Sequence, residues 1–322
     1  MTNFTFKQLR YFEALAQHGH FGRAAESCAI SQPALSMQIK ELEETLGIPL
    51  FERGTRRIRL TDFGEAFAER VRDLLRAADE LGDMARAARD RLTGRLRLGV
   101  IPTIAPYLLP TLLGNLARSY PELDVHVRET VTPRLIDELA EGRLDAAIVA
   151  LPVSEPSLAE LALFSEALVL VRPGTDAAKP APNRNELRDM RLLLLEEGHC
   201  FRDQALSFCK LQSGLPRDGL DGTSLATLVQ MVGAGIGVTF IPEMAIAVEV
   251  RSAPVSVVRF PAPEPARTVG MVWRKTSPLT RQLLDIANVV QQSAERLHAE
   301  RSETTRSFGQ LDPSGDRSQA RP

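Results

Sequence analysis

Hydrophobic residues recur at helical spacing through the first ninety or so positions. Leu9, Phe12, Leu15 and Ala16 form one apolar stripe, and Leu35, Ile39, Leu42 and Leu46 form another. Gly19 interrupts the first stripe, and Gly47 with Pro49 interrupts the second. Ser31 followed by Pro33 marks a helix start. From Thr61, an N-cap with Glu65 close behind, a pattern runs through Phe67, Val71, Leu74, Leu75, Ala78, Leu81 and Ala85 to about Arg91. That length predicts an exposed linker or pairing helix, closed by Thr93-Gly94.

The period then shortens. RLRLGVI, DVHVRE and DAAIVA read as strands, with helices predicted over Tyr107–Ser119 and Pro133–Glu141. LALFSEALVLV, RLLLLEE, GVTFIP and TVGMVWR continue the strand series. Between them lie a predicted helix from Phe201 or Arg202 and another over Ser224–Val232, and Leu279–Leu297 forms a last amphipathic helix. Alternation of this kind implies a mostly parallel sheet in two α/β halves, with Pro173–Asn185 as a surface loop. Past Ala299 the chain turns polar and is expected to be disordered. The resulting domains are 1–62, a linker helix over 63–93, a two-lobed unit over 94–298 and a tail over 299–322.

Composition adds exclusions. At 322 residues, 44% hydrophobic and 25% charged, the chain suits two or more soluble domains. No apolar run is long enough for a membrane helix and the start does not resemble a signal peptide, so a cytoplasmic protein is expected. Net charge is -2, so any nucleic-acid contact must come from local charge. Three cysteines, Cys28, Cys200 and Cys209, are too few for a disulfide framework or a zinc site, and no metal or cofactor is expected.

The segment FGRAAESCAISQPALSMQIKELEETLG has the form of two helices joined by a tight turn. Its second helix presents Ser31, Gln32, Pro33, Ala34, Ser36 and Lys40 early, where a recognition helix meets the major groove. FERGTRRIRLT follows, with Arg53, Arg56, Arg57 and Arg59 around a Gly-Thr turn, a basic hairpin suited to phosphates or the minor groove. Periodicity alone fits a plain helical bundle equally well. Cys28, inside the helix pair, reads as a small buried core residue.

The order of residues resembles the LysR-type regulators. It comprises Phe12/Leu15/Ala16, Phe21/Ala24/Ala25, Ser31 to Ser36, Ile39/Leu42/Glu43/Leu46/Gly47, Leu50/Phe51/Arg53 and Leu60/Thr61/Gly64. The resemblance implies an α+β winged helix-turn-helix, a dimerising linker helix and a two-lobed α/β effector domain like periplasmic binding proteins. Double-stranded promoter DNA is the partner it implies.

The second half carries EEGHCFRDQALSFC. Thiolate is the form that reacts with peroxide, and Cys200 stands between a predicted strand and a predicted helix, where the helix N-terminus favours an anion. His199 and Arg202 add polar or cationic neighbours, whereas Asp203 opposes a thiolate unless it pairs or caps. Thr103 and Thr132 follow the first two strands and are candidates for holding a peroxide oxygen, or plain helix caps. Cys209 lies nine residues on. Continuous helix would separate the two by about 13 Å, beyond the roughly 7 Å a disulfide tolerates, so bonding requires that helix to unwind. Cys209 reads equally as a buried apolar-face residue.

GHCFRDQALSFC and IPTIAPYLLP resemble the peroxide-responsive members of the same family. The resemblance implies that Cys200 is peroxidatic and Cys209 resolving, with Thr103, Thr132, His199 and Arg202 around the thiol. It also implies a homotetramer that contacts RNA polymerase when oxidised, with hydrogen peroxide as signal rather than as the substrate of an enzyme. The alternatives are a family member answering to a metabolite between the lobes, a thiol peroxidase and a plain solute-binding protein.

Overall fold

The computed structural model describes residues 4–52, 58–88, 92–209 and 221–308, which fall into two compact units, 1–88 and 89–322. In the first unit α1 (Phe6–His18), α2 (Phe21–Ser27) and α3 (Gln32–Leu46) enclose a core with the start of α4 (Asp62–Ala87). Leu9, Phe12, Leu15, Leu35 and Leu42 are all but inaccessible, and Phe12 packs its ring against Phe51 and Phe67. The caps expected at Ser31 and Thr61 are present, the Ser31 Oγ accepting from Ala34 N and the Thr61 Oγ1 from Gly64 N, and Thr5, not expected, caps α1 by accepting from Gln8 N. Gly19 and Gly47 end α1 and α3 in the left-handed conformation. Gly64 is needed for another reason: a Cβ there would lie 2.2 Å from the Leu50 carbonyl oxygen, so α4 can approach this strand end only without a side chain. Cys28 packs against the core but is half-buried, because it lies at the exposed C-terminal end of α2.

The second unit opens with β1 (Gly94–Val100), α5 (Ala105–Ser119), β2 (Leu123–Glu129), α6 (Thr132–Ala140) and β3 (Ala146–Leu151). β1 pairs in parallel with β2 and β3. β4 (Leu158–Pro173) follows, then α7 (Arg184–Asp189), α8 (Cys200–Phe208), α9 (Leu225–Gly233), β5 (Thr239–Pro242), α10 (Ile246–Glu249), β6 (Val255–Val258), β7 (Ala266–Arg274) and α11 (Thr280–Phe308). Strand order is β2-β1-β3-β7-β4-β5, with β6 also on β4.

A mostly parallel sheet is corrected to a mixed one. β7 runs antiparallel to both β3 and β4, and β4 runs antiparallel to β5 and β6. The physical reason is the length of β4. Residues 158–167 pair with β7 on the first lobe, and residues 168–173 pair with β5 and β6 on the second, so one strand serves both lobes. The expected strand RLLLLEE reduces to single parallel bridges at Leu192 and Leu195, to Val238 and Gly222. α4 ends at Ala87, short of Arg91, and α11 remains helical to Phe308, past the expected boundary at Ala299. The expected surface loop 173–185 contains a short 3-10 turn and the first residues of α7.

Candidate functional site

Cys200 is the first residue of α8 and is half-buried, with His199 at the cap position in extended conformation. The expected start at Phe201 or Arg202 moves back by one or two residues, so the thiol belongs to the first helical turn. Backbone N–H groups there lack intrahelical partners and favour negative charge. Gly198, φ +90°, allows the chain to turn from Leu195 into the helix, and its Cα side faces Val131 at the N-terminus of α6.

Thr103, 2% exposed, follows β1. Its Oγ1 accepts from Arg267 Nη1 at 2.8 Å and its carbonyl accepts from Arg267 Nη2 at 3.0 Å. Since the hydroxyl oxygen is taken by the guanidinium, its hydrogen is left to donate to whatever occupies the site. Arg267 also donates through Nε to Glu166 Oε2 at 2.9 Å, and its guanidinium faces the Phe201 ring at 5.5 Å. Glu166 Oε1 accepts from Met244 N at 2.7 Å. Arg267 was not among the expected residues. The only hint is a charge directly before the strand run TVGMVWR, and its partner Thr103 is 164 positions away.

Thr132 begins α6, whose cap position belongs to Val131. Its Oγ1 is buried without a hydrogen-bond partner among the described residues, so it does not serve as the helix cap. Gln204, one turn after Cys200 on the same face, likewise has a buried, unpartnered Oε1. Arg202 points elsewhere. Its Nη1 donates to the Leu195 carbonyl at 2.8 Å and pairs with Asp221 at 3.0 Å. It therefore pins α8 to the segment before it, and the Asp203–Arg202 pairing considered from sequence is not formed. Burial pushes the His199 pKa below its ordinary value, and the Glu196 charge only partly offsets this. His199 is accordingly neutral near pH 7.

Cys209 caps the other end of α8 and is completely buried. Its N–H donates to the Ala205 carbonyl, and its own carbonyl accepts from Arg188 Nε. Just before it, Phe208 meets Phe240 and Phe260 edge-on, with centroids 5.8 and 5.2 Å away. Cys200 and Cys209 carry thiols, not a disulfide. The intervening helix holds them apart.

In the first unit the turn between α2 and α3 is tight. Ala29 takes φ +52°, and Ile30 N donates to the Ala25 carbonyl. Ser31, Gln32, Pro33, Ser36 and Lys40 are exposed along α3 and Ala34 is half-buried, while Leu35 and Ile39 face the core. Lys40 lies 3.5 Å from Glu44. Arg53, Arg56 and Arg57 lie outside the described residues.

Residues 6–65 match the family described as bacterial regulatory helix-turn-helix protein, lysR family, and residues 89–295 match the LysR substrate binding domain. A probable hydrogen peroxide-inducible genes activator of Streptomyces viridosporus is 42% identical over 296 residues, 90% of this chain and 94% of that protein. Among solved structures, a full-length cysteine-to-aspartate variant of OxyR from Pseudomonas aeruginosa superposes with a TM-score of 0.70 at 38% identity, over 90% of this chain and 95% of that one. A hydrogen-peroxide-bound cysteine-to-serine mutant of Corynebacterium glutamicum OxyR gives 0.65 at 32% identity, over 94% and 96%. The chain therefore belongs to the LysR family of bacterial transcriptional regulators, in the group that includes OxyR.

Proposed function

We propose that this protein is a transcription regulator switched by hydrogen peroxide through Cys200 and Cys209. The observation that carries the reading is the placement of two thiols at opposite ends of one short helix, one half-buried at its N-terminus and one buried at its C-terminus. The Cys200 thiolate attacks one peroxide oxygen and the O–O bond breaks. Cys200 becomes a sulfenic acid, and the departing hydroxide takes a proton to leave as water. Thr103, whose hydroxyl hydrogen is left free by Arg267, and Thr132, whose buried hydroxyl lacks a partner among the described residues, are the groups to hold the peroxide, and neutral His199 precedes the thiol. Arg202 supports this geometry indirectly, by anchoring α8.

In the second step Cys209 attacks the Cys200 sulfur. The S–O bond breaks, a second water leaves, and a disulfide replaces the two thiols. Helical separation of about 13 Å forbids this within the present fold, so α8 must come apart. The disulfide then holds a second conformation, the bistable element a switch requires. Cys200 is not sealed in apolar surroundings, which disfavours the reading as a metabolite-responsive regulator with inert cysteines.

On the DNA side, α3 is the recognition helix, with Ser31, Gln32, Pro33, Ala34, Ser36 and Lys40 toward the major groove of promoter DNA. A wing follows. Phe51 bridges Leu60 in antiparallel sense and Glu52 N donates to the Arg59 carbonyl, bracketing the segment that carries Arg53, Arg56 and Arg57. The two lobes sharing β4 make the effector unit similar to a periplasmic binding protein. α4, with Leu74, Leu81 and Met84 exposed, is the pairing helix of a homotetramer that contacts RNA polymerase. No helix among the described residues is long and apolar enough to cross a membrane, in keeping with a cytoplasmic regulator.

The test is thiol labelling with peptide mapping after stoichiometric peroxide, alongside promoter activation in Cys200→Ser. Oxidation at Cys200 and loss of induction in the variant are expected. Full peroxide induction in Cys200→Ser would sink the assignment.

A further inference from the structure

Glu166, the partner of Arg267, also lines a cavity of about 390 Å³ between β4 and α11. That volume is at the lower end of those that hold small molecules. Leu163 and Phe164 of β4, Met244, and Leu297 of α11 supply an apolar wall. Three carboxylates, Glu166, Glu243 and Glu295, and the His298 imidazole reach the same space, and among the described residues no lysine or arginine lines it. Glu166 is neutralised from behind by Arg267, and Glu243 is paired with the exposed Arg259. Glu295 has no ion-pair partner among the described residues. An apolar chamber with a net negative rim is complementary to a cation that carries hydrocarbon, and opposed to an anion.

We propose that this cavity is a second ligand site, for a small organic cation with an apolar body, and that its occupancy speeds the reaction of Cys200 with peroxide through the Glu166–Arg267 pair. The coupling rests on the peroxide reading above. Glu166 is shared: it lines the cavity and it holds Arg267, which bonds Thr103 and covers Phe201, the residue after Cys200. A cation in the cavity competes with Arg267 for the field of that carboxylate. The guanidinium is then held less firmly by Glu166, and with it the Thr103 hydroxyl and the Phe201 ring next to Cys200. Burial of the pair makes the effect less screened than at a surface.

The experiment uses the reduced full-length protein with benzylamine as probe, and benzyl alcohol and benzoate as controls. Calorimetry is expected to show benzylamine binding, about tenfold weaker binding of the uncharged alcohol, and none of benzoate. Ala294→Phe, which fills the cavity from the surface of α11, is expected to abolish binding, and Glu295→Gln to weaken it several-fold. Stopped-flow measurement of Cys200 oxidation at saturating benzylamine should give a rate raised at least about twofold, with no rise in Ala294→Phe. Equal binding of amine to Ala294→Phe and wild type, or equal binding of all three probes, would overturn the site. Intact amine binding with an unchanged oxidation rate would overturn the coupling. A Cys200 that resists peroxide without any amine would instead remove the underlying sensor reading, and calorimetry would still decide the site.

Discussion

A guanidinium with no exposed side-chain surface has to be neutralised and hydrogen-bonded, and Arg267 is paired with Glu166 and bonded through all three of its nitrogens. Replacing it by Met strands the Glu166 carboxylate, 6% exposed at its side chain, and leaves the Thr103 hydroxyl without its donor. Breaking a buried pair from one side costs about 3–5 kcal/mol. Urea denaturation of Arg267→Met should show a loss of that size, and the double variant Arg267→Met/Glu166→Gln should recover part of it. A single variant as stable as wild type would remove the pair from the account of this site. His199 gives a prediction of different sign. Its folded pKa lies below the ordinary imidazole value of about 6.5, so the unfolded chain binds the proton first as pH falls. Stability should therefore be unaffected by this group above about pH 6.5 and decline below it, down to the lowered folded pKa. Denaturation midpoints of His199→Gln between about pH 7 and pH 5 should lack that component of the decline.

α8 is the element whose stability sets the second oxidation step. Phe201 under Arg267, Arg202 on Leu195 and Asp221, and Phe208 among Phe240 and Phe260 hold it at both ends. Aromatic pairs are worth about 0.5–1.5 kcal/mol each beyond the area they bury. Phe208→Ala releases the C-terminal anchor and leaves Cys200 and its turn untouched. Rapid-quench thiol counting should find the first oxidation unchanged and disulfide formation several-fold faster; slower closure would mean that the anchor does not gate it. The sequence placed a helix here from Phe201 or Arg202, and Phe201, Ala205 and Leu206 are the residues it buries. It announced α1 through its apolar stripe and the Gly19 break, and α3 and α4 through the caps Ser31 and Thr61 as well. Its silence on the direction of β7 and on Arg267 has one cause. Both depend on pairings between distant positions, Ala147 with Val272 or Thr103 with Arg267, which no local period encodes. Arg202 was legible as a neighbour of Cys200 but not as a tether, since its partner Asp221 comes from a separate segment.

Across the regulatory unit, oxidation must move one part of a structure whose lobes share a continuous strand. β4 pairs with β7 in the first lobe and with β5 and β6 in the second, and Leu168 to Val171 and Val269 to Val272 are buried. Disrupting that ladder would expose the centre of both cores at once, whereas opening α8 frees a two-turn helix with one face already in solvent. Local opening is therefore the cheaper route to the disulfide. Hydrogen exchange on the reduced and peroxide-treated protein separates the two routes. Amides of Gln204 to Cys209, whose donors now bond within the helix, should lose protection by an order of magnitude or more on oxidation. Those of Leu168 to Val171 and Val269 to Val272 should keep theirs. Protection lost in the shared strands with α8 unchanged would mean that the lobes move as bodies and that the helix is not the element that switches.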